Sequence, residues 1–217
     1  MKKAISIFSG GLDCTVATSV FDREYEIHAI TFNYGQKAFR QELKASRRIC
    51  EKMGWSHEVI DLPWLAAISN SSLNTDEDIP EVSENDLDDI DKSSETASNV
   101  WVPARNTVFT SIALSYAESI GAEIIIIGWN NEEGLTFPDN SEEFLNEFNE
   151  LIKVGSPDKI RIEAPAINLN KEELVELGVK VGAPMKLSYS CYKGEDEPCG
   201  VCESCVRRNR AFKKVGI

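Results

Sequence analysis

The feature that most constrains the fold is a run of four isoleucines, which lies between Glu123 and Gly128. A strand in which every residue is apolar has no face suited to water, so both of its faces must be covered. Parallel sheets meet this condition because their crossover helices pack on both faces. The run therefore predicts the central strand of a parallel sheet with helices on both sides.

The rest of the chain supplies the elements that such a sheet needs. Short apolar segments alternate with segments of helical periodicity, and glycines or a polar N-cap mark several helix ends. This alternation predicts an α/β fold with a doubly wound, mainly parallel, Rossmann-like sheet. The predicted strands are residues 4–8, 27–32, 57–62, 123–128 and 160–167, and the predicted helices are residues 13–21, 38–53, 107–120, 142–152, 171–181 and 203–214.

A chain of 217 residues can form one domain with a sizeable core. We expect residues 1–185 to form the α/β domain and residues 186–217 to form a C-terminal segment packed on it. Residues 62–104 interrupt the alternation because Ser, Asn, Asp and Glu dominate them. This acidic segment is expected to be partly mobile, and it either covers a site or is simply solvated.

The formal net charge is −13, of which residues 76–95 carry −9 through ten acidic residues and one lysine. Binding to nucleic acid depends on Lys and Arg neutralising phosphates, so this balance favours small-molecule partners over direct nucleic-acid binding. The last twelve residues are cationic, and we expect them to form a solvated face rather than an RNA site. Neither a membrane span nor a secretory leader is recognisable, which predicts a cytoplasmic protein.

Gly10 and Gly11 separate the first predicted strand from the first predicted helix. Glycines at this position allow a tight turn that points several backbone N–H groups at one spot, where the helix N-terminus adds positive potential. Such a turn suits a phosphate or pyrophosphate. The hydroxyls of Ser9 and Thr15 lie nearby, and Asp13 can cap the helix or hold Mg²⁺. The spacing matches neither the Walker A motif nor G-x-G-x-x-G.

Four of the six cysteines lie near the C-terminus with the spacing C-x7-C-x2-C-x2-C. They are Cys191, Cys199, Cys202 and Cys205. Four thiolates can surround Zn²⁺ tetrahedrally, and a site closed in this way is structural because it leaves no position for substrate. An iron–sulfur cluster is the alternative, whereas a cytoplasmic chain makes disulfides unexpected. Cys50 is expected in the core, and Cys14 is either packed or reactive.

Residues 9–13 (SGGLD) resemble the signature Ser-Gly-Gly-x-Asp-Ser of the PP-loop superfamily, the N-type ATP pyrophosphatases, and depart from it at Cys14. Three more segments narrow the resemblance, namely residues 33–36 (NYGQ), 102–106 (VPARN) and 137–139 (FPD). Together with residues 190–194 (SCYKG) and the cysteine spacing, they resemble the QueC family over nearly the whole chain.

This resemblance implies an ATP-dependent ligase that converts 7-carboxy-7-deazaguanine and ammonia to 7-cyano-7-deazaguanine, a precursor of queuosine-type and archaeosine-type nucleosides in tRNA. Each activation of the substrate would consume one ATP with Mg²⁺ and release AMP and pyrophosphate. The resemblance also implies one structural Zn²⁺ per chain and a homodimer.

The resemblance also assigns roles to residues. The expected catalytic residues are Asp13, Arg105, Lys186 and Asp139, with Arg105 and Lys186 neutralising the charge that develops during adenylation. The expected ATP-binding residues are Phe8, Ser9, Gly10, Gly11, Leu12, Asp13, Cys14, Thr15, Thr31, Phe32 and Gly128. The expected substrate-binding residues are Tyr34, Gln36, Asn106, Phe137 and Glu143. Either Asp139 or Glu143 handles the ammonia proton or the guanine-like edge of the substrate, and the sequence does not rank them.

One departure from the family pattern keeps a related function open. The family usually continues the Pro-Asp pair with cysteine and arginine, whereas this chain has Asn140 and Ser141. A QueC-like enzyme that attaches the activated deazaguanine to another molecule is therefore an alternative. A PP-loop enzyme that modifies tRNA directly, for example by sulfur transfer, is a second, and a non-enzymatic nucleotide sensor stabilised by zinc is a third.

Overall fold

The computed structural model describes residues 1–87, 89 and 92–217. The strands are β1 (Lys2–Ile7), β2 (Tyr25–Asn33), β3 (Ser56–Asp61), β4 (Ile124–Ile126) and β5 (Arg161–Glu163). The helices are α1 (Leu12–Phe21), α2 (Phe39–Met53), α3 (Pro63–Ile68), α4 (Ile90–Asn99), α5 (Arg105–Ile120), α6 (Asn131–Gly134), α7 (Glu142–Gly155), α8 (Lys171–Val181) and α9 (Glu203–Val215). Short 3₁₀ turns lie at Glu84–Asp88, Pro138–Asn140 and Met185–Leu187.

The five strands form one parallel sheet in the order β3-β2-β1-β4-β5. The chain runs outward from β1 through β2 to β3, and then returns to place β4 and β5 on the other side of β1. The α/β prediction with a doubly wound parallel sheet is thus confirmed. The order of connection reverses between β1 and β4, and in open α/β sheets ligands bind in the crevice beyond the strand ends at this point.

The isoleucine run behaves as predicted in burial but not in length. Ile124, Ile125 and Ile126 are fully buried, yet only these three pair as β4, instead of residues 123–128. β5 likewise spans three residues instead of the predicted 160–167. The carbonyls of Ala164 and Ala166 accept hydrogen bonds from the N–H groups of Ile167 and Leu169, and these turns end the extended conformation. The residues that follow β4 are therefore not paired in the sheet, and a cavity opens beside them.

The helix boundaries follow the capping signals in the sequence. Gly54 and Gly121 adopt the left-handed conformation directly after α2 and α5, where glycine avoids the Cβ clash. The side chain of Asn170 accepts hydrogen bonds from the N–H groups of Glu172 and Glu173, and the carboxylate of Glu173 accepts one from the N–H of Asn170. This capping box confirms Asn170 as the N-cap of α8.

The acidic segment, residues 62–104, packs on the domain in its described part. Leu73, Ile79 and Val100 are buried in the larger hydrophobic core. The middle of the acidic segment contacts the cysteine-containing segment. The N–H of Val82 donates to the carbonyl of Val201 at 2.8 Å, and Glu81 and Cys202 form an isolated antiparallel β-bridge. A merely solvated loop would bury none of these apolar side chains, so that alternative is wrong here. Positions 88, 90 and 91, to which the expectation of mobility also applied, lie outside the described residues.

The cationic residues of α9 form the predicted solvated face only in part, because Lys213 and Lys214 are exposed whereas Arg207 and Arg208 contact other parts of the protein. Arg207 is buried and forms ion pairs with Glu203, at 2.8 Å, and with Glu132. Arg208 donates to the hydroxyl of Ser188 at 2.5 Å and lies over a phenylalanine ring of its own helix. These two side chains are oriented toward the protein because Glu132 and the carbonyl of Met185 accept hydrogen bonds from them. No helix in the described ranges combines the length and the hydropathy that crossing a bilayer requires.

Candidate active site

A cavity opens beyond the carboxyl ends of β1, β2 and β4. Its walls combine residues of the segment 9–13, which we call the phosphate loop, with Tyr34 after β2, Arg105 at the start of α5 and Gly128 after β4. Leu73 and Val100 of the acidic segment and Tyr189 and Ser190 of the C-terminal segment also line it. The two segments that interrupt the α/β pattern therefore complete the cavity.

Glycines allow the phosphate loop to pass between two other backbones. A Cβ on Gly10, whose φ is 77°, would lie 2.5 Å from the backbone nitrogen of Ser46 in α2. A Cβ on Gly128 would lie 2.5 Å from the backbone nitrogen of Cys14. Both positions exclude larger residues by backbone contact, which no side-chain movement relieves. The loop is consequently held against α2 on one side and the end of β4 on the other.

The loop hydroxyls are engaged differently from one another. Ser9 lines the cavity, and its Oγ accepts from the N–H of Gly11 at 3.2 Å. Thr15 is fully buried and donates to the carbonyl of Gly11 at 2.6 Å, which holds α1 against the loop and turns its hydroxyl away from the cavity. From the C-terminal segment, Ser190 accepts from the N–H of Leu12 at 3.3 Å. Ser190 is thus a loop hydroxyl that the local sequence pattern did not reveal.

The thiol of Cys14 lines the cavity and lies 3.5 Å from the Ser9 hydroxyl. Burial raises the pKa of this thiol to about 11. A thiol with so high a pKa is almost entirely protonated at neutral pH, whereas reactive cysteines depend on the thiolate. Of the two alternatives for Cys14, the geometry favours a packed, unreactive thiol. Cys50 is buried in α2, as predicted.

Asp13 belongs to a partly buried cluster of charges around Lys171. Its Oδ1 accepts from the ammonium of Lys171 at 2.6 Å and from the side-chain amide of Asn130 at 3.1 Å. Lys171 also lies 3.4 Å from the carboxylate of Glu133, and its backbone N–H donates to Glu132 at 2.8 Å. Burial lowers the pKa of Lys171, but Asp13 and Glu133 outweigh it and hold that pKa above the ordinary value. Lys171 therefore stays charged beside the phosphate loop.

Arg105 projects from the first turn of α5 into the cavity wall. It donates to the hydroxyl of Tyr34 at 3.2 Å, and its guanidinium carbon lies 5.8 Å from the Tyr34 ring centre. Burial opposes its charge, while Tyr34 and Asp139 raise the pKa above the ordinary value. The preceding Ala104 has a φ of 49°, the one positive value at a non-glycine position in the described part of the chain. Such backbone strain is characteristic of functional positions.

Asn106 and Asp139 hold each other at the edge of the cavity. The N–H of Asn106 donates to Asp139 Oδ2 at 3.4 Å, and the Asn106 amide donates to the carbonyl of Asp139 and to the side chain of Asn140. Burial raises the pKa of Asp139, against the opposing effect of Arg105. Asn106 and Asn140 line the cavity, whereas Asp139 lies behind them.

The end of β2 provides an ordered polar group beneath aromatic walls. The amide of Gln36 donates to Glu42 Oε2 at 2.7 Å and to the carbonyl of Phe32 at 3.0 Å, and it accepts from the N–H of Tyr34 at 3.0 Å. The rings of Phe32 and Phe109 stack with centroids 4.1 Å apart. Phe137 stacks on Trp101 across a longer distance of 6.4 Å.

The structure does not bring all the predicted residues together. Lys186 and Glu143 are exposed, and neither lines the cavity. Thr31 is buried and donates to the carbonyl of Phe8 at 2.5 Å, where it supports the strand end and does not face the cavity. Gly10 and Leu12 likewise shape the loop from behind the cavity wall. Lys171, Glu133 and Glu42 line or adjoin the site but were missed, because their partners are distant in sequence.

Four cysteines form a compact group beside α9. The Sγ atoms of Cys191, Cys199, Cys202 and Cys205 all lie within 4.8 Å of one another. The N–H of Cys199 donates to the Cys191 sulfur at 3.4 Å, and the N–H of Cys202 donates to the Cys199 sulfur at 3.3 Å. Thiolates around one tetrahedral metal ion at about 2.3 Å are separated by about 3.8 Å. The group therefore fits a single metal ion.

Comparison with known proteins agrees with these features. Residues 3–216 match the family model described as "Queuosine biosynthesis protein QueC". The chain is 66% identical over 216 residues to the 7-cyano-7-deazaguanine synthase of Methanobrevibacter smithii, covering 100% of this chain and 95% of the relative. It is 64% identical to the enzyme of the same name from Methanosphaera stadtmanae, covering 99% and 95%. Among solved structures, NMN synthetase from Francisella tularensis is similar with a TM-score of 0.47 and 17% identity, covering 100% of this chain and 87% of that one.

The family match spans nearly the entire chain, and the relatives agree with it at high identity over their own full lengths. The segments that carried the resemblance, namely the phosphate loop, Arg105 and the cysteine group, all lie in or beside one cavity. The chain belongs to the QueC family.

Proposed function

We propose that this chain is an ATP-dependent ligase that makes 7-cyano-7-deazaguanine from 7-carboxy-7-deazaguanine and ammonia. The observation that carries the proposal is the common cavity, in which the phosphate loop, the charged Arg105 and aromatic walls face one space. Nucleotide binding, neutralisation of an anion and stacking of a planar base are the three tasks that this reaction requires. The names of the relatives support the same reaction.

The reaction begins with a poor electrophile. A carboxylate resists attack by ammonia until one of its oxygens bonds to the α-phosphorus of ATP and pyrophosphate leaves. The loop amides and the N-terminus of α1 favour the phosphate charge, and Arg105 offers a fixed guanidinium beside it. Ammonia then displaces AMP to give the amide. A second ATP activates the amide oxygen, and loss of AMP with a proton leaves the nitrile.

Asp13 fits a role in holding Mg²⁺ with ATP. Its Oδ1 is engaged by Lys171 and Asn130, which leaves Oδ2 as the oxygen for the ion. Mg²⁺ prefers such carboxylate oxygens together with phosphate oxygens, and when bound it neutralises phosphate charge. Lys171 fixes the orientation of Asp13 and adds a cation next to the loop. We assign the charge-neutralising role to Arg105, which lines the cavity, since Lys186 lies outside it and the charge of Lys171 is paired with Asp13 and Glu133.

We propose that the four cysteines hold one Zn²⁺ with a structural role. Each thiolate of a four-iron cluster binds a different iron atom, which requires the sulfurs to be spread further apart than they are around a single ion. The sulfur separations, all within 4.8 Å, suit one tetrahedral ion better. All four ligand positions are taken by protein, so the ion would stabilise α9 and the neighbouring acidic segment without taking part in the reaction.

We also propose a homodimer, on the family resemblance. Sedimentation of the purified protein tests this assembly directly, and a monomer at micromolar concentration would contradict it.

One assay tests the reaction. Purified protein is incubated with 7-carboxy-7-deazaguanine, ATP, Mg²⁺ and ammonium, and AMP and product mass are followed. We expect the nitrile with two AMP for each molecule formed, and Arg105→Ala is expected to abolish turnover without unfolding the protein. AMP release without the nitrile would favour transfer to another acceptor. No AMP release with this substrate would reject the proposal.

A further inference from the structure

One carboxylate at the cavity wall forms no ion pair with any of the described residues. Glu42, in the first turn of α2, lines the same cavity as Asp13 and Glu133. Asp13 and Glu133 both pair with Lys171. Glu42 accepts one hydrogen bond from Gln36, to Oε2, and no bond to Oε1 is found among the described residues. Its hydrogen-bonding capacity is thus only partly used.

The carboxylate is nevertheless held in a defined orientation. Gln36 is buried and uses its amide on Glu42, on the carbonyl of Phe32 and on the N–H of Tyr34. Because both backbone partners belong to the end of β2 and the turn after it, Gln36 cannot rotate without breaking those bonds. Glu42 is therefore a preorganised acceptor. Such preorganisation lowers the cost of binding a ligand.

Its electrostatic surroundings favour a donor ligand. Burial raises the pKa of Glu42, opposed by the hydrogen bond from Gln36 and by the charge of Arg105. A carboxylate taken out of water is costly unless it is hydrogen-bonded, so a ligand that brings N–H donors would relieve the cost. Nearby, Tyr34 and the stacked rings of Phe32 and Phe109 offer flat apolar faces.

We infer that Glu42 reads the guanine-type edge of the substrate. The ring N1–H and the 2-amino group of a 7-deazaguanine present two parallel N–H donors, which match the two oxygens of one carboxylate. The inference rests on the proposed function. It replaces Asp139 and Glu143 in this role, because Asp139 lies behind Asn106 and Glu143 is exposed. It makes Glu42 the residue that discriminates guanine-type from hypoxanthine-type substrates.

The test compares two substrates that differ by one amino group. The wild-type enzyme is assayed with 7-carboxy-7-deazaguanine and with its analogue lacking the 2-amino group, and kcat/KM is measured for each. A site built to accept an N–H bond rejects the analogue that lacks it, so we expect a loss of about 100-fold for the analogue. This arm needs no variant and does not depend on how a mutation affects folding.

The second arm uses Glu42→Gln, with Glu51→Gln as the matched control. Glu51 lies on the same helix but is exposed. We expect Glu42→Gln to raise KM for 7-carboxy-7-deazaguanine at least about 100-fold, to leave KM for ATP unchanged and to reduce the discrimination between the two substrates to less than about fivefold. Glu51→Gln should keep wild-type values.

The outcomes separate the inference from the function on which it rests. Equal kcat/KM for the two substrates in the wild type would overturn the inference, as would wild-type discrimination in Glu42→Gln. A rise in KM for ATP alone would assign Glu42 to the nucleotide instead. If the wild type forms no nitrile from 7-carboxy-7-deazaguanine, the proposed function itself fails.

Discussion

The two acidic regions of the cavity differ in how their charge is satisfied. At the phosphate loop, Asp13 and Glu133 both form ion pairs with Lys171, so the protein itself compensates their charge. At the end of β2, the one side chain among the described residues that hydrogen-bonds to Glu42 is the neutral amide of Gln36. The first region is complete in the absence of substrate, so it can hold the loop in shape before ATP arrives. The second leaves one carboxylate oxygen of Glu42 open to the cavity, where the donors of the proposed substrate would bind.

We expect the largest effect from a change in the cysteine group, because this group supports the charge cluster at the phosphate loop. α9 carries both Cys205 and Arg207. Arg207 pairs with Glu132, and Glu132 accepts a hydrogen bond from the backbone N–H of Lys171. The cysteine group is therefore connected through α9 to the charge cluster at the phosphate loop. Cys199→Ser is expected to lower the metal content and to reduce the free energy of unfolding by more than about 5 kcal/mol, since metal binding is coupled to folding. Elemental analysis and denaturant unfolding measure both. The exposed Glu197→Gln is the control, and retention of full metal content by Cys199→Ser would contradict the ligand set.

Lys171→Met should break the complete region from inside. Removing the cation leaves two partly buried carboxylates without an ion-pair partner, which is expected to cost up to about 3 kcal/mol of stability. Lys180→Met, an exposed position on the same helix, serves as the matched control. Urea unfolding of the two variants gives the difference. If they unfold at the same denaturant concentration, the cluster does not stabilise the loop as described.

Glu42→Gln is expected to change stability in the opposite direction. Because burial raises the pKa of Glu42, the folded state holds this proton more tightly than the unfolded state, and stability falls as pH rises from the ordinary carboxyl range through the raised pKa. The amide has no such titration. We therefore expect Glu42→Gln to raise Tm by about 2–4 °C near pH 7.5 and to change it little near pH 4. Thermal unfolding across this range is the measurement, and parallel curves for the two proteins would disagree with it.

The smallest effect is expected from Cys14→Ser, which restores the family hydroxyl. Burial raises the pKa of the thiol to about 11, so the thiol is neutral, and we propose that phosphate binding at the loop rests on backbone N–H groups and Ser9. We expect kcat/KM for ATP to change by less than about threefold, because the serine hydroxyl replaces a neutral thiol and adds at most one hydrogen bond. Steady-state kinetics measure it. A change above tenfold would show that position 14 contacts phosphate through its side chain.

The parts of the molecule that sequence reasoning predicted well are local in the chain. The strand, the glycine pair and α1 are consecutive, and the cysteines lie within one short segment, so spacing alone carried the inference. The N-cap at Asn170 was recognisable for the same reason. Family resemblance added Arg105 and Tyr34, which the structure places in contact.

The parts that escaped prediction depend on pairing between distant segments. Lys171 reads as an ordinary first-turn lysine of α8, and only the fold brings it to Asp13. Glu42 reads as a helix-surface residue until α2 packs against Gly10. Lys186 was expected in the cavity and is exposed, because a 3₁₀ turn directs Met185 inward instead. The polar composition of the acidic segment predicted mobility, and the few apolar residues that anchor it in the core, such as Leu73 and Val100, were too widely spaced to form a recognisable pattern.

The junction between Glu81 and the cysteine segment also has a consequence for the time course of folding. The ion pair between Glu81 and Lys193 spans 112 residues of sequence, and the pairing of Ala4 with Ile124 between β1 and β4 spans slightly more. Contacts of such separation close large loops and tend to form late, whereas β1, β2 and β3 join segments that are close in sequence. The β1–β2–β3 half of the sheet can therefore assemble first. During synthesis, the acidic segment cannot be fixed to its C-terminal partners until the residues around Lys193 have emerged, so a partly made chain would have half of its sheet paired while the wall that carries Leu73 and Val100 is still open.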